Sequence, residues 1–497
     1  MDTSTDIENN KNIEGNSSSE TSGKLTNKKW TAYEKYFFRV FFIFFFLIII
    51  PTDISYYKSW FTTDWSNLHI RDIGRLSGTS FNPIKVGSIH NGAADKGSLA
   101  DSPASFLSIR SENAPFGLAS YANLFLALGI GIVGAFIWGF FDKKRDDYTV
   151  LYYFLLTAVS YALLIKLQGL TFSKVFPTQM PELALTQLNT PFGDFTAQKL
   201  YWVQFSFVHA YEVFAGLAEL AIMLFLLFRP TRAIGAALSV AMIGNITLAN
   251  HAYDGGIHLA AAFFTYGAAF VLVPYLKNIW RLLVKEKDTN PAIYHYPFKK
   301  KGEKYFRIAF KSFVFLFFFV LSAYLHWDNY KHDSYKVPSN PGLANARGLY
   351  DVTEFKLNGE SLPYSPLDSV RWQDVTLEKW STLSYTVNQT FVIHGEAGRG
   401  KQFKDIDRTY ESAGTGGGRR HYYYEIDSVA QTLSFKSKNK VYKDEDFTLH
   451  YERPSSERII LSGINQYKDS IYVVLDRKDK EYPLYSKRTD NEITVLP

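Results

Sequence analysis

Seven apolar stretches follow one another through the first two-thirds of the chain, at about 36–52, 117–141, 148–167, 200–228, 233–251, 256–276 and 305–327. Most approach the roughly 20 residues that a helix needs to cross a bilayer core. A helix carries such a stretch through lipid with every backbone group paired inside the segment. From Tyr350 onward the helical period gives way to alternation. Tyr422, Tyr424 and Ile426 alternate with polar neighbours; so do Leu433 and Phe435, Phe447, Leu449 and Tyr451, Ile459 and Leu461, and Ile471, Val473 and Leu475. Breakers separate these runs at Asn358-Gly359, Gly414 to Gly418, Pro454-Ser455-Ser456, Ser462-Gly463 and Lys478-Asp479. The spacing predicts about eight short strands in an antiparallel barrel or sandwich. The expected fold is an α-helical membrane bundle of about seven spans over 33–327, followed by an antiparallel β domain over 328–497. Ahead of them, residues 1–32 are Ser-, Thr-, Asn-, Lys- and Glu-rich and are expected to be a disordered cytoplasmic segment. The Gly-, Ser-, Ala- and Asn-rich stretch 76–115 reads as a flexible extracytoplasmic loop.

Basic residues set the expected orientation. Lys24, Lys28, Lys29, Lys35 and Arg39 flank the first span, and Lys143, Lys144 and Arg145 lie between the second and third. Arg229 and Arg232 join the fourth to the fifth, and a dense group from Lys277 to Lys311 surrounds the link from the sixth to the seventh. Placing all four groups in the cytoplasm is consistent with seven crossings, a cytoplasmic N-terminus and an outer β domain. The turn Tyr253-Asp254-Gly255-Gly256 has no Lys or Arg and falls outside, as required. No small-residue cleavage site follows the first span, so it reads as an uncleaved signal-anchor in a bacterial cytoplasmic (inner) membrane.

Composition narrows the chemistry. Cysteine is absent, which removes disulfides, thiolate metal ligands and thiol redox steps. The net charge of +6 comes from residues beside the spans, so no nucleic-acid partner is expected. Gly416-Gly417-Gly418-Arg419-Arg420 has neither the Lys-Ser/Thr nor the following helix of a phosphate-binding loop and reads as a hairpin loop. Asn388-Gln389-Thr390 fits a glycosylation acceptor, and Trp372 and Trp380 read as core anchors of the β domain.

Ionisable groups inside a span are costly and mark candidate sites. His209, Glu212, Gly216 and Glu219 share one face of the fourth span. Asn245, Asn250 and His251 end the fifth, Asp254 follows, and His258 opens the sixth. Lys166 and Gln168 close the third. In the expected topology Lys166, His209, Glu212, Asn250, His251, Asp254 and His258 meet near the outer leaflet, with Glu219 deeper. Such a pocket suits a quinol head, a metal or a polar lipid head. The structural alternative is that Glu212 and Glu219 pair with Lys166, Arg229 or Arg232 and hold the bundle together. The 251–258 spacing straddles a Gly-Gly break, and no metal site is assigned.

Leu167-Gln168-Gly169 with Lys174 to Pro181, and Tyr211-Glu212 to Glu219 followed by Leu226-Leu227-Phe228-Arg229-Pro230-Thr231, resemble segments of the DoxX-like membrane proteins. Asn250-His251-Ala252-Tyr253-Asp254 continues the likeness, which covers about 150–280. The resemblance implies a four-helix unit in a bacterial cytoplasmic membrane. The family takes its name from a subunit of a thiosulfate:quinone oxidoreductase, and most members have no assigned activity. The chain departs from the pattern at His258, where a Lys is expected, and in its extra spans and β tail.

Two functions follow as expectations. One is a quinone-linked redox component, with Glu212 and His209 serving a quinol and another envelope or redox protein supplying electrons, because no haem-attachment or dinucleotide fingerprint is present. The other is a non-enzymatic, membrane-anchored protein that binds a ligand or envelope partner through its β domain. A transporter is a third reading, but no internal repeat supports it.

Overall fold

The structure is a computed structural model that describes residues 29–51, 54–78, 121–289, 294–332, 338–393, 404–483, 486–489 and 492–495. Residues 1–28 of the expected disordered segment and all of the 76–115 loop beyond Gly78 lie outside the described residues.

The described helices are α1 (Ala32–Ile49), α2 (Ile54–Thr62), α3 (Ile70–Leu76), α4 (Ala122–Phe141), α5 (Thr149–Val175), α6 (Leu185–Leu188), α7 (Ala197–Phe207), α8 (His209–Leu227), α9 (Arg232–Ala252), α10 (His258–Leu283), α11 (Lys301–Phe315) and α12 (Ser322–His332), of which α2, α3 and α6 fall outside the seven apolar stretches. Among the described residues six helical segments are long and apolar enough to cross a membrane, or seven if α1 and α2, bent by 44°, form one span. Their outward faces carry exposed apolar side chains such as Phe136, Phe214, Leu238 and Val320.

Local chemistry explains the boundaries. Thr31 and Glu34 form a reciprocal capping box that starts α1. The third stretch continues to Val175 rather than closing at 167, because its polar residues find partners inside the protein. Lys166 donates to the Gly78 carbonyl, Gln168 accepts from Ser322, and Lys174 pairs with Glu219. The last stretch passes through a π-helical segment, Leu316–Leu321, where Phe317, Phe318 and Phe319 are all buried.

The expected span at 200–228 is corrected to two helices, broken at Val208 (φ −132°, ψ 85°). Only α8 qualifies as a membrane span. Thr196 caps α7, and Tyr201 and Trp202 pack with Met180 and Tyr410 in a small apolar cluster of their own. Lys199 donates to the Tyr410 carbonyl. Contacts with the β domain therefore outweigh continuation of the helix into the bundle.

The tail forms strands β1 (Gly348–Leu357), β2 (Glu360–Ser361), β3 (Asp374–Leu377), β4 (Thr382–Thr386), β5 (Arg419–Asp427), β6 (Thr432–Ser437), β7 (Asp446–Glu452), β8 (Arg458–Ile464), β9 (Ser470–Lys478), β10 (Ser486–Thr489) and β11 (Glu492–Val495). All pairings are antiparallel, and β1 pairs with β9, so eight strands close into a barrel with β2 as a hairpin extension. Closure decides between the expected barrel and sandwich, because it removes the exposed edges that a sandwich keeps. A bulge near Thr353 adjusts β1 to β9.

Apart from Ile426, which is exposed, the alternation read from the sequence is the inside of this barrel. Phe447, Leu449, Tyr451, Ile459, Leu461, Ile471, Val473 and Leu475 all join its core. Trp372 stacks on Tyr385 at 4.0 Å, as a core anchor. Trp380 does not join that core. It is buried outside the barrel, where its Nε1 donates to Glu411 at 2.9 Å and the Arg408 guanidinium lies 4.6 Å from its ring. In β5 the alternation fails, because Arg419 to Tyr424 are all buried. One face fills the barrel, and the other is covered by the segment linking α5 to α8.

Candidate functional site

The linking segment, residues 176–208, is the joint between helices and barrel. Glu378 accepts from the backbone N–H groups of Leu185 at 2.9 Å and Thr186 at 2.7 Å, at the start of α6. Thr186 Oγ1 meets Ser384 Oγ at 2.7 Å, and Lys379 bonds Glu182 at 2.6 Å. Further along, Gly416 N–H donates to Asp194 at 2.7 Å and Thr196 N–H to Gly414 at 2.9 Å. The hairpin loop expected at 416–420 is thus docked through Gly416, and its Arg419 and Arg420 already belong to β5.

Beneath it lies a buried charge cluster. Glu411 is fully buried, 3.0 Å from Arg408 and 3.4 Å from Lys438. Burial works to raise its pKa, but Arg408 and Lys438 outweigh burial and bring it to about 2. Lys199 lies close to the same carboxylate, and burial lowers its pKa to about 7. Burial raises Glu378 to about 7 despite its two backbone donors. The Tyr410 hydroxyl meets Ser206 at 2.9 Å. Burial pushes this phenol up to about 12, and the nearby Glu212 charge adds to the rise.

Of the predicted site residues, Glu219 is among those that line the cavity between α5, α8, α9 and α10. Glu212 is fully buried at the start of α8 and faces toward Tyr410, so it belongs to the joint. His209 is half-buried in the same turn. Asn250 is buried and donates to the Tyr201 hydroxyl at 3.1 Å, bracing the turn before α10. Its Oδ1 sits 2.3 Å from where a Cβ on Gly255 would be, so only glycine fits there. His251 Nε2 meets the Tyr121 hydroxyl at 2.6 Å, and its ring lies 4.9 Å from His258. Asp254 is exposed, contrary to the expectation that it faces inward, and it occupies the left-handed position of the turn (φ +50°). Lys166 donates to the Gly78 carbonyl. Among the described residues no group of three His, Asp or Glu is arranged to hold a metal ion.

Glu219 is the residue with a cavity. Its carboxylate lies 2.9 Å from Lys174 Nζ, both groups being buried, and Thr171 adds a 3.4 Å bond. Its partner is therefore Lys174, and not Lys166, Arg229 or Arg232. Gly216 makes this possible: a Cβ there would fall 2.6 Å from the Val175 backbone nitrogen, so α5 and α8 touch. The ion pair forms part of the wall of a cavity of about 150 Å³, with Tyr201, Trp202, Tyr211 and Ile257 among the other walls. The cavity sits between α5, α8, α9 and α10 at the end that faces the barrel.

Sequence reasoning missed Lys174, Lys199, Tyr410 and Glu411. Lys174 carried a readable signal, since a lysine eight residues past Lys166 is an evident partner for an acid on the neighbouring helix. The others are brought together only by docking of the barrel.

No family model matches the chain. No solved structure matches it. A Bacillus subtilis (strain 168) protein described as "Uncharacterized protein YwoB" is 38% identical over 56 residues, 11% of this chain and 36% of the relative. The chain thus spans about a third of that relative's length.

Proposed function

We propose that this is a DoxX-like, inner-membrane binding protein that holds the polar head of an amphiphilic membrane molecule in the cavity beside Lys174 and Glu219. The N-terminus is cytoplasmic and the barrel extracytoplasmic, covering the outer end of the cavity. What carries the reading is the cavity itself, which is mostly apolar with one buried ion pair on its wall. A void of about 150 Å³ is enough for a benzene-sized group, which limits the occupant to a single ring or a small head. The tail of such a molecule would leave between helices into lipid. A quinol-type ring and a small lipid head share this chemistry. In the quinone-linked version of the reading, the ion pair exchanges a proton with the ring and another envelope protein carries the electrons.

The test is native mass spectrometry and organic extraction of the full chain purified in mild detergent. An amphiphile should co-purify with the natural protein and be lost from Ala215→Leu, which fills the cavity from α8. Quinone in the extract favours the redox version, and phospholipid or another amphiphile the plain binding version. Identical extracts from both proteins would overturn the proposal.

A further inference from the structure

The end of the bundle away from the barrel holds a buried cation without a partner. Arg232 opens α9 and is 5% exposed, yet among the described residues its side chain makes no hydrogen bond, ion pair or ring contact. Its Nε is sealed from the surface without an acceptor, whereas its two terminal nitrogens are not sealed. Arg39, the other buried arginine of the helical bundle, is satisfied: it donates to the Tyr148 hydroxyl at 2.8 Å and to the Asp142 carbonyl at 3.3 Å. A buried charge is costly unless something pairs with it. We propose that Arg232 anchors a binding site for the phosphate of an anionic membrane phospholipid, completed by Arg229, Arg307 and Lys311.

The charge pattern favours an anion. Arg229 is within electrostatic reach of Arg232, and so is Lys311, which also lies near Arg307. Among the described residues none of these four cations pairs with a carboxylate. Acidic groups of the same end are engaged elsewhere: Asp142 with Arg145, Asp146 with Lys29, and Asp147 with the Thr149 N–H. Four cations gathered without a counter-ion repel one another, and a phosphate between them removes that cost. A guanidinium presents two parallel N–H groups that match two phosphate oxygens. Tyr153, Tyr161 and Tyr275 stand near the same guanidinium, and their hydroxyls are further donors.

The surroundings favour a lipid over a soluble anion. Phe228, Ile234, Ile308 and Phe310 are exposed on the elements that carry the four cations, and their apolar surface can receive acyl chains. Lys311 Nζ lies 4.1 Å from the centre of the Phe228 ring, so cation and apolar surface are continuous. Tyr161 and Phe310 meet at 5.3 Å and close α5 onto α11 below the charges. The first turn of α9 adds its own positive end, because the Thr231 hydroxyl donates to the Phe225 and Phe228 carbonyls and does not cap the helix. A basic recess between membrane helices, with an apolar flank, is the setting in which anionic lipid heads are held.

The test titrates the full chain in mild detergent with phosphatidylglycerol and, separately, with phosphatidylcholine, and counts bound lipid by native mass spectrometry. Phosphatidylglycerol should bind about tenfold more tightly than phosphatidylcholine. Arg232→Gln should weaken phosphatidylglycerol about tenfold, the equivalent of one charge-assisted hydrogen bond, and leave phosphatidylcholine unchanged. Lys311→Gln, at the half-buried rim, should weaken it in the same sense. Lys143→Gln, which removes a basic residue of the same end that lies over Phe140, should have no effect. Ala215→Leu, which fills the cavity beside Lys174 and Glu219, should also leave this binding unchanged, and that separates the two sites. Without added lipid Arg232→Gln should melt no lower than the natural protein, since it removes an unpaired buried charge. A lower melting temperature there would show that Arg232 is satisfied within the protein and would overturn the proposal. So would equal binding of the two lipids, or equal losses from Arg232→Gln and Lys143→Gln. Displacement of the lipid by inorganic phosphate or glycerol 3-phosphate would reassign the site to a soluble anion and overturn it as well.

Discussion

Glu378 Oε1 accepts a 2.7 Å hydrogen bond from the backbone N–H of Thr186, 192 positions earlier in the chain. A barrel carboxylate thus caps a helix in the loop between two membrane helices, and the two halves of the molecule are joined at a buried point. Burial raises the pKa of Glu378 from 4.5 to about 7. A raised carboxyl binds its proton more tightly in the folded state. Its contribution to stability is therefore present below pH 4.5 and is lost as pH rises through 7.

The first prediction follows from that sign. Stability of the natural protein relative to Glu378→Gln should fall by an amount on the order of 3 kcal/mol between pH 4.5 and 7, and then level off. The difference between the two proteins is the proper measurement, because His421 titrates in the opposite sense over part of the same range. Lys199 does not interfere, since its window opens only above about 7. Thermal melts of both proteins at several pH values give the answer, and parallel curves would refute the assignment.

Lys174 and Glu219 define the second prediction. Lys174→Met should destabilise the detergent-solubilised protein by about 3–5 kcal/mol, because Glu219 is left as an uncompensated charge in a buried place. The double replacement Lys174→Met with Glu219→Leu should recover most of that loss, since apolar side chains of similar volume replace a buried ion pair at little cost. If the double variant is no better than the single one, the cost lies in packing and not in charge.

The elements were far more legible than the site. A helix of lipid-facing Phe, Leu and Ile and a strand of alternating Ile, Val and Leu each bury their faces according to local period, so α9, α10, β7, β8 and β9 stand close to where the pattern puts them. The break at Val208 was hidden because α7 is apolar for a different reason: Tyr201 and Trp202 cover Tyr410 of the β domain. The same holds for β5, whose run of six buried residues violates alternation because both of its faces are covered. Pairing between Lys174 and Glu219 depends on the close approach at Gly216, a tertiary fact with only a small-residue hint in the sequence. The cluster around Glu411 joins residues from 199 to 438 and has no local signature at all.

The third prediction concerns orientation. The basic link from Lys277 to Lys311 should be cytoplasmic, and the barrel should lie on the opposite side of the membrane. The end of α5, the start of α8, the end of α9 and the end of α12 all lie on the barrel side, so one reporter fixes the rest. Fusions after Lys287 and after Pro497 should report opposite compartments. Reporters on the same side would require an even number of crossings between them and a redrawn membrane path.

Two glycines of the β domain provide the last prediction, as a matched pair. Gly359 and Gly418 both have positive φ, +86° and +72°. An L-residue there is strained in either case, by about 1–2 kcal/mol. Their surroundings differ completely. A Cβ on Gly359 would meet nothing within 4 Å, whereas one on Gly418 would fall 1.8 Å from the Val387 carbonyl oxygen. Gly359→Ala should therefore cost only the backbone strain and leave the β1–β2 hairpin in place. Gly418→Ala must also push the Gly414–Gly418 loop away from Val387, and with it the contacts to Asp194 and Thr196 that seat the barrel on the helices. Its cost should be clearly the larger of the two, by several kcal/mol rather than one. Limited proteolysis separates the outcomes: Gly418→Ala should expose the 404–418 segment to cleavage at a protease level that leaves Gly359→Ala and the natural protein intact. Equal resistance of both variants would show that the loop does not depend on that close approach.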